Sequence, residues 1–191
     1  MVKIFKYVVI LTLFMIINSC TIEDNDFTNP NLSMIDYGDT TNAILLSSFE
    51  INGMQSLEGW QPRDSLSMSH YSFSNAVPNG GGTWSLYIWA MNYAEIGIDT
   101  TIELSASDSL KNYILTFWAL GTGSAVFSID APDRGVVINT PVNCITWTFF
   151  ADTLYRNDVK LNKLSILLKS WTSESLSNVL FDNIKVVVKA K

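Results

Sequence analysis

Aromatic side chains dominate the chemistry of this 191-residue chain, which contains six tryptophans and seven tyrosines. In one stretch Leu86 and Ile88 alternate with Tyr87 and Trp89, so the two pairs take opposite faces of a strand. Trp118 lies in the same way opposite an apolar face. Exposed rings stack on the apolar C–H face of a sugar. The pattern predicts a binding face of Tyr87, Trp89 and Trp118, unless a loop or tail covers it.

The other aromatic residues are weaker candidates for this chemistry. Trp84 is predicted to pack in the core, because it lies two residues before Leu86 and so faces the same side. Tyr93 and Trp171 lie on or near predicted loops. Three side chains are candidate polar companions for a bound sugar, although their spacing distinguishes none of them: Gln61, Arg63 and Asn92.

Catalysis by carboxylates is the alternative chemistry. A glycosidase needs two carboxylates about 5–10 Å apart on its sugar-binding face. Sequence alone does not exclude such a pair from Glu95, Asp99, Glu103 and Asp152. None of them lies in a recognisable catalytic motif, and a Ser-His-Asp triad would have to use His70, the only histidine. The chain is therefore predicted not to be an enzyme.

Composition excludes several classes of function. The chain has 12 basic and 18 acidic residues, a net charge of -6 and a pI near 4.6. This charge disfavours a basic face for nucleic acid. One histidine and two cysteines exclude a multi-histidine metal centre and a disulfide scaffold. Hydrophobic residues make up 48% of the chain, which predicts a folded domain with a real core.

Residues 1–19 have the pattern of an export signal. Lys3 and Lys6 precede an uncharged apolar run over Tyr7–Ile17, which is too short to span a membrane. The sequence INSC at 17–20 follows. It resembles a bacterial lipobox, and this resemblance implies that Cys20 carries a lipid that anchors the chain to a membrane. The alternative is a cleaved signal peptide followed by an incidental cysteine.

Residues 20–42 are predicted to be a flexible acidic and polar tether. The acidic run TIEDND at 21–26 resembles the surface-export signal of Bacteroidetes lipoproteins, which implies an outer-membrane, surface-exposed location. Without Lys3 and Lys6 the chain carries 10 basic and 18 acidic residues, a net charge of -8. If Cys20 carries a lipid, Cys144 has no disulfide partner. Its neighbours Ile145 and Trp147 predict a buried thiol.

Residues 43–191 are predicted to form one all-β domain, a jelly-roll sandwich of two antiparallel sheets with about nine strands. Short β-branched and aromatic runs recur between Gly, Pro, Asn, Asp and Ser. The predicted strands are Ala43–Phe49, Ser69–Ser74, Trp84–Met91, Asp99–Ser105, Tyr113–Leu120, Ala125–Asp130, Ile145–Ala151, Leu164–Ser170 and Val179–Val188.

The order of motifs resembles the carbohydrate-binding modules of families four and nine, and more broadly the galactose-binding-like jelly rolls. The match covers about residues 44 to 188. The resemblance implies that Trp60 and Trp147 occupy framework positions and pack in the core. The motifs run SSFEING (47–53), LEGWQP (57–62), VPNGGGTWSL (77–86), YILTFWA (113–119), ITW (145–147) and LFDNIKV (180–186). Because this fold also serves as a protein-binding or inert module, the resemblance favours the fold more strongly than the ligand.

The same resemblance implies one structural calcium ion where the first strand meets the last. Glu50 and Asp182 occupy the matching positions, and Ca²⁺ prefers carboxylate and carbonyl oxygens. The alternative is that both carboxylates only accept hydrogen bonds from backbone N–H groups.

From the ring face and the resemblance together we expect a non-catalytic surface domain that binds a glycan or polysaccharide. A protein-interaction or structural accessory module of a cell-surface complex is the alternative.

Overall fold

The computed structural model describes residues 42–91, 94–105, 111–131, 134–156, 158, 160–171 and 176–190. The predicted all-β class is confirmed. Eleven strands and one short 3-10 turn, Ser67–Ser69, account for the regular structure described. The strands are β1 (Ala43–Ser47), β2 (Glu50–Ile51), β3 (Met54–Gln55), β4 (Gln61–Pro62), β5 (Tyr71–Ser74), β6 (Ser85–Met91), β7 (Glu95–Glu103), β8 (Lys111–Ala131), β9 (Arg134–Tyr155), β10 (Lys163–Trp171) and β11 (Leu176–Ala190).

Nine of these strands form one curled antiparallel sheet in the order β4-β7-β10-β8-β11-β6-β5, with β9 paired to β8 and β1 paired to β11. The strands β2 and β3 form a separate small hairpin. The first part of β8 pairs with β11 and its last part pairs with β10, whereas β9 follows β8 along nearly its whole length. The sheet therefore folds over on itself and makes the two layers of a jelly-roll sandwich.

Two glycines allow β8 to cross from one layer to the other. Gly121 has a φ of 110°, and a Cβ there would meet the carbonyl of Asn178. A Cβ on Gly123 would meet the carbonyl of Lys169. The sequence predicted two strands with a break near these glycines, and this was wrong, because the glycines turn a continuous strand instead of ending it.

Alternation along the strands builds the core as predicted. Leu86 and Ile88 of β6 are fully buried, and so are Leu115 and Phe117 of β8. The strand β10 contributes Leu164, Ile166 and Leu168 in the same way.

Of the three tryptophans predicted to be core residues, one is buried and two are only half-buried. Trp60 is buried in the core cluster at 7% exposure, and its indole N–H donates to the Ser47 hydroxyl at 3.0 Å. Trp84 and Trp147 are only half-buried and lie outside the cluster, so the prediction for them was wrong. Trp84 precedes β6 instead of lying in it, and its indole N–H donates to the carbonyl of Gly53 in the β2–β3 hairpin.

The strand β9 is much longer than predicted. Only Ile145–Ala151 was expected, but pairing with β8 extends from Arg134 to Tyr155. The hydroxyl of Thr140 donates to the carboxylate of Asp152, which joins the two halves of this edge strand on its inner side. Cys144 is buried at 5% exposure, as predicted.

The predicted signal segment 1–19, Cys20 and the tether up to residue 41 lie outside the described residues. In the described part of the chain, no helix has the length and apolar character needed to cross a membrane.

Candidate functional site

The predicted ring face is partly assembled on β6. Tyr87 and Trp89 point away from the core and are half-buried. Their rings stack with centroids 5.5 Å apart and an angle of 28° between planes. The stacking therefore covers part of each ring.

His70 extends this ring pair, although its sequence position gave it no binding role. Its ring centroid lies 5.8 Å from that of Trp89, and its backbone carbonyl accepts from the Trp89 amide. The side chain is held by Nδ1, which lies 2.8 Å from the Leu66 carbonyl. The signal that could have identified His70 was its place immediately before β5, the strand that pairs with β6.

Trp118 does not join this pair. The strand β11 separates β6 from β8, and Trp118 lies opposite Asp182, not opposite Tyr87. Strand spacings put the Cα atoms of Tyr87 and Trp118 about 12 Å apart. Trp118 packs against Phe149, with centroids 5.5 Å apart. The three predicted rings therefore form two separate patches on one sheet face.

A second surface lies on the outer face of β4, β7, β10 and β8. Trp171 at the end of β10 is 54% exposed and lies opposite Glu95 in the register. Glu95 accepts from Lys169 at 2.8 Å and pairs with Arg63. The hydrogen bond from Lys169 lowers the pKa of Glu95 most, and Arg63 adds to the effect. An exposed indole is thus flanked by fixed charged groups.

This second surface continues along the sheet as polar and short side chains. Gln61 of β4 pairs with Asp99 of β7, and its amide lies 3.5 Å from the Asp99 carboxylate. The hydroxyls of Thr101 and Ser165 lie 3.3 Å apart on the next two strands. These groups are hydrogen-bond donors and acceptors on the same sheet face as Trp171, about 13 to 20 Å along the strands from it. The third predicted polar companion, Asn92, and the weaker aromatic candidate Tyr93 lie outside the described residues.

The candidate catalytic carboxylates do not form a pair suited to glycoside hydrolysis. Glu95, Asp99 and Glu103 follow one another at intervals of four residues along β7, which separates neighbouring Cα atoms by about 13 Å. Asp152 lies opposite Leu115 on the inner side of β9. Burial raises the pKa of Asp152, and its carboxylate is held by Thr140.

The two predicted calcium ligands come together near the loop that precedes β6. One oxygen of Glu50 accepts the amides of Thr83 at 2.6 Å and Trp84 at 3.1 Å. A Cβ on Gly82 would overlap the Glu50 carboxylate, and one on Gly81 would lie 2.7 Å from Oδ2 of Asp182. The glycines therefore let this loop approach both carboxylates.

Asp182 has a buried oxygen that fits a cation. Its side chain is fully buried, and Oδ2 has no hydrogen-bond partner among the described residues. The pKa of Asp182 is raised to about 7. Burial is the largest cause, the hydrogen bond from the Asn183 amide opposes it, and the negative charge of Glu50 adds to it. The positive charge of a bound Ca²⁺ ion would offset both effects and favour the ionised carboxylate.

Two carboxylates alone do not make a complete calcium site. In the described residues, no group of three or more His, Cys, Asp or Glu is placed to hold a metal ion. Backbone carbonyls of the adjoining loops would have to supply the remaining calcium ligands. Carbonyl oxygens are common ligands of Ca²⁺. The residues present fit such an ion, with Glu50 and Asp182 as its carboxylate ligands.

No protein-family model matches the sequence, and no curated protein matches it. Solved structures do resemble the fold. A family 16 carbohydrate-binding module is 16% identical, with a TM-score of 0.54 over 72% of this chain and 97% of that one. The family 22 xylan-binding module of Paenibacillus barcinonensis Xyn10C is 9% identical, with a TM-score of 0.52 over 76% and 99%.

One similar structure belongs to a much larger protein. The enzymatically active domain of tailspike protein 4 from bacteriophage CBA120 is 16% identical, with a TM-score of 0.55 over 69% of this chain. The chain spans only 19% of that domain. At these identities the likeness concerns the fold alone, and that fold is the jelly roll of carbohydrate-binding modules.

Proposed function

We propose that this chain is a non-catalytic domain that binds a glycan or polysaccharide on the outer face of its curled sheet. The observation that carries the proposal is the likeness to carbohydrate-binding modules over nearly their full length. Exposed or half-buried rings beside polar groups supply the contacts that such binding needs. The absence of a catalytic motif and the wide spacing of the β7 carboxylates support a binding role.

The first candidate surface is the ring pair of Tyr87 and Trp89, with Trp118 as a separate contact about 12 Å away. A chain of several sugar units would be needed to touch both patches. The stacked geometry favours contact with the outer face or edges of the pair. Asn178 lies opposite Trp89 and supplies a polar neighbour.

The second candidate surface is centred on Trp171. Its exposure of 54% leaves far more ring area for a sugar than the half-buried rings of β6. The Arg63–Glu95–Lys169 network fixes polar atoms beside it before any ligand arrives. Fixed groups reduce the entropy cost of binding. These observations favour the Trp171 surface as the main contact and the Tyr87–Trp89 pair as the other.

Calcium is proposed as a structural ion. Bound between Glu50 and Asp182, it would join the start of the domain to β11 and to the loop that precedes β6. This position lies beside Trp118, which is opposite Asp182 in the register. The ion would therefore stabilise the fold and leave the Trp171 surface unaffected.

The location of the domain is also part of the proposal. A lipid on Cys20 and the acidic segment after it would hold the domain outside the cell on a flexible tether. A surface-anchored domain with an open binding face would bring a polysaccharide to the cell. The alternative is a protein-interaction module in a surface complex, which would not be retained on any polysaccharide.

The test is retention of the mature domain on purified insoluble polysaccharides, with xylan as one of them, in constant calcium. Three variants are compared with the wild type: W171A, the double variant Y87A/W89A and the control Y155A. Tyr155 is 60% exposed on β9, away from both surfaces.

We expect wild type and Y155A to be retained on one class of polysaccharide. Loss in W171A alone would assign the site to the Trp171 surface, and loss in Y87A/W89A alone would assign it to the β6 pair. Passage of the folded wild type through every polysaccharide would contradict the proposal and favour a protein partner.

A further inference from the structure

Leucines join the two ring patches on the layer made of β6, β11 and the first part of β8. In the register, Leu180 of β11 lies between Tyr87 of β6 and Leu120 of β8. Both leucines are half-buried, and neither belongs to the hydrophobic core cluster. Trp118 and its ring partner Phe149 continue the surface onto β9. The rings are therefore part of one continuous apolar surface.

One end of this surface is exposed to solvent. Met91 and Leu176 are neighbours in the register and are 41% and 56% exposed. Large exposed side chains that adjoin other apolar residues mark surfaces that other molecules cover. We call this surface the apolar face. It consists of the outward side chains of β6, of β11 over residues 176–180 and of β8 over residues 118–120, together with Phe149.

The apolar face carries no charge, although the chain has a net charge of -6. On β11, the first charged side chain beyond Leu180 is Asp182, which is fully buried. The opposite outer face, in contrast, carries Arg63, Glu95 and Lys169. Two copies of an acidic chain repel each other where their charged surfaces meet. The apolar face is therefore a part of the surface on which two copies can approach at little electrostatic cost.

The dimensions of the apolar face limit the strength of such a contact. Strand spacings make it about 15 Å wide, and the distance from Leu176 to Asp182 along β11 makes it about 20 Å long. The projected area of about 300 Å² is smaller than the about 800 Å² that each partner of a typical specific interface buries. A contact between two such faces is expected to be weak and reversible.

The chain enters the domain far from the exposed end of the apolar face. The carbonyl of Asn42 accepts the amide of Val188 at 3.0 Å. Val188 lies twelve residues after Leu176, which corresponds to about 40 Å along β11. An anchor that precedes Asn42 would therefore leave the exposed end of the apolar face directed away from the membrane.

We propose that the apolar face packs against the same face of a second copy of this chain and forms a weak symmetric dimer. Two sheets that pack in this way keep their strands within about 30° of each other. A two-fold axis along the strands would direct both chain entries to the same side, as two copies anchored to one membrane require. The dimer would cover Tyr87 and Trp89 and leave Trp171 accessible on both of its outer sides. The inference goes beyond glycan binding and does not depend on it.

The experiment is sedimentation equilibrium of the mature domain over a series from micromolar to near-millimolar concentration, in constant calcium and without polysaccharide. A reducing agent excludes a disulfide through Cys144. The variant L176K places a charge on the apolar face at a position that is already exposed, so the fold is spared. The matched control is V137K, because Val137 is 60% exposed on β9 and lies on the other outer face. Both variants change the net charge equally.

We expect the average mass of the wild type and of V137K to rise toward that of a dimer with concentration. Association should be about tenfold weaker or more in L176K, because an unpaired ammonium would lose its water on dimerisation. Added sodium chloride should strengthen association of the wild type, since it screens the repulsion between acidic copies and does not weaken an apolar contact.

A monomer mass at every concentration, or equal association of L176K and V137K, would overturn the inference. So would a dimer that sodium chloride dissociates, because that result indicates an ionic contact. Retention of a monomeric wild type on a polysaccharide would leave the proposed function standing. A dimer that no polysaccharide retains would remove the proposed function and leave this inference standing.

Discussion

Asp182 and Glu50 hold their carboxylates close enough that the charge of Glu50 adds to burial in raising the pKa of Asp182 to about 7. The ordinary value for this group is 3.8. Asp182 thus keeps a proton in the folded chain over a pH range in which the unfolded chain has released it. The folded state is then penalised as pH rises through that range.

The first prediction concerns pH. In chelator, the melting temperature of the mature domain should fall between pH 5 and pH 8 and change little at higher pH, because the penalty grows from the unfolded pKa to the folded one. The variant D182N, which cannot ionise, should lose the part of this fall that Asp182 causes and keep the part due to Asp152, whose pKa is also raised by burial. Differential scanning calorimetry across the pH series measures it.

The matched control for that series is D99N, which changes an aspartate on the outer face of β7. It should keep the pH dependence of the wild type. An identical slope in wild type and D182N would contradict the assignment of the effect to Asp182.

The second prediction concerns calcium. Ca²⁺ binds the ionised carboxylate, so its stabilising effect should be larger at pH 8 than at pH 5.5. At pH 8 the ion should raise the melting temperature of the wild type, and E50Q and D182N should not respond. Magnesium serves as the control cation, since it demands a smaller octahedral site. A calcium response that survives in both variants would place the ion elsewhere.

The third prediction concerns Gly82. A Cβ at this position would overlap the Glu50 carboxylate and break its hydrogen bonds to the Thr83 and Trp84 amides. G82A should lower the free energy of unfolding by about 1–3 kcal/mol and weaken the calcium response. The control is G135A, where the nearest atom would be 3.1 Å away and belongs to Asp130. Stability of G82A equal to that of the wild type in urea would show that Gly82 has no steric role.

The fourth prediction concerns Cys144, which is 5% exposed. Its thiol should react slowly with a thiol reagent in the native domain and rapidly in denaturant, because burial limits access. Substitution by serine should be destabilising, since it places a hydroxyl in a buried position. Rapid labelling of the native protein with retained secondary structure would contradict the buried placement.

Alternation made the strands with one apolar face predictable. The order Leu86-Tyr87-Ile88-Trp89 fixes which side chains enter the core, and the structure agrees. The strand around Tyr113 follows the same rule. In both cases the signal is local, because the side-chain period of a strand is two residues.

Other features depended on contacts distant in sequence. The sequence predicts a break near Gly121, whereas this residue lets β8 cross between layers against the carbonyl of Asn178. Thr116 lies opposite the core and is nevertheless buried, at the floor of a cavity behind the Ser48–Glu58 segment. Local pattern could not predict either outcome.

The candidate site was predictable only in part. Tyr87 and Trp89 were placed together by their spacing, but Trp118 was separated from them by β11, and strand order is not contained in a two-residue period. Trp171 became the stronger candidate only from the structure, because the register places it opposite Glu95. Arg63 and Lys169 both form ion pairs with the Glu95 carboxylate.

Affinity electrophoresis of the mature domain through gels that contain single soluble polysaccharides tests the central claim most directly. The account predicts that at least one polysaccharide retards the wild type, and that W171A migrates as it does without polysaccharide while Y155A remains retarded. Retardation is lost in W171A because the exposed ring supplies the stacking contact. Unchanged migration of the folded wild type in every gel would contradict glycan binding.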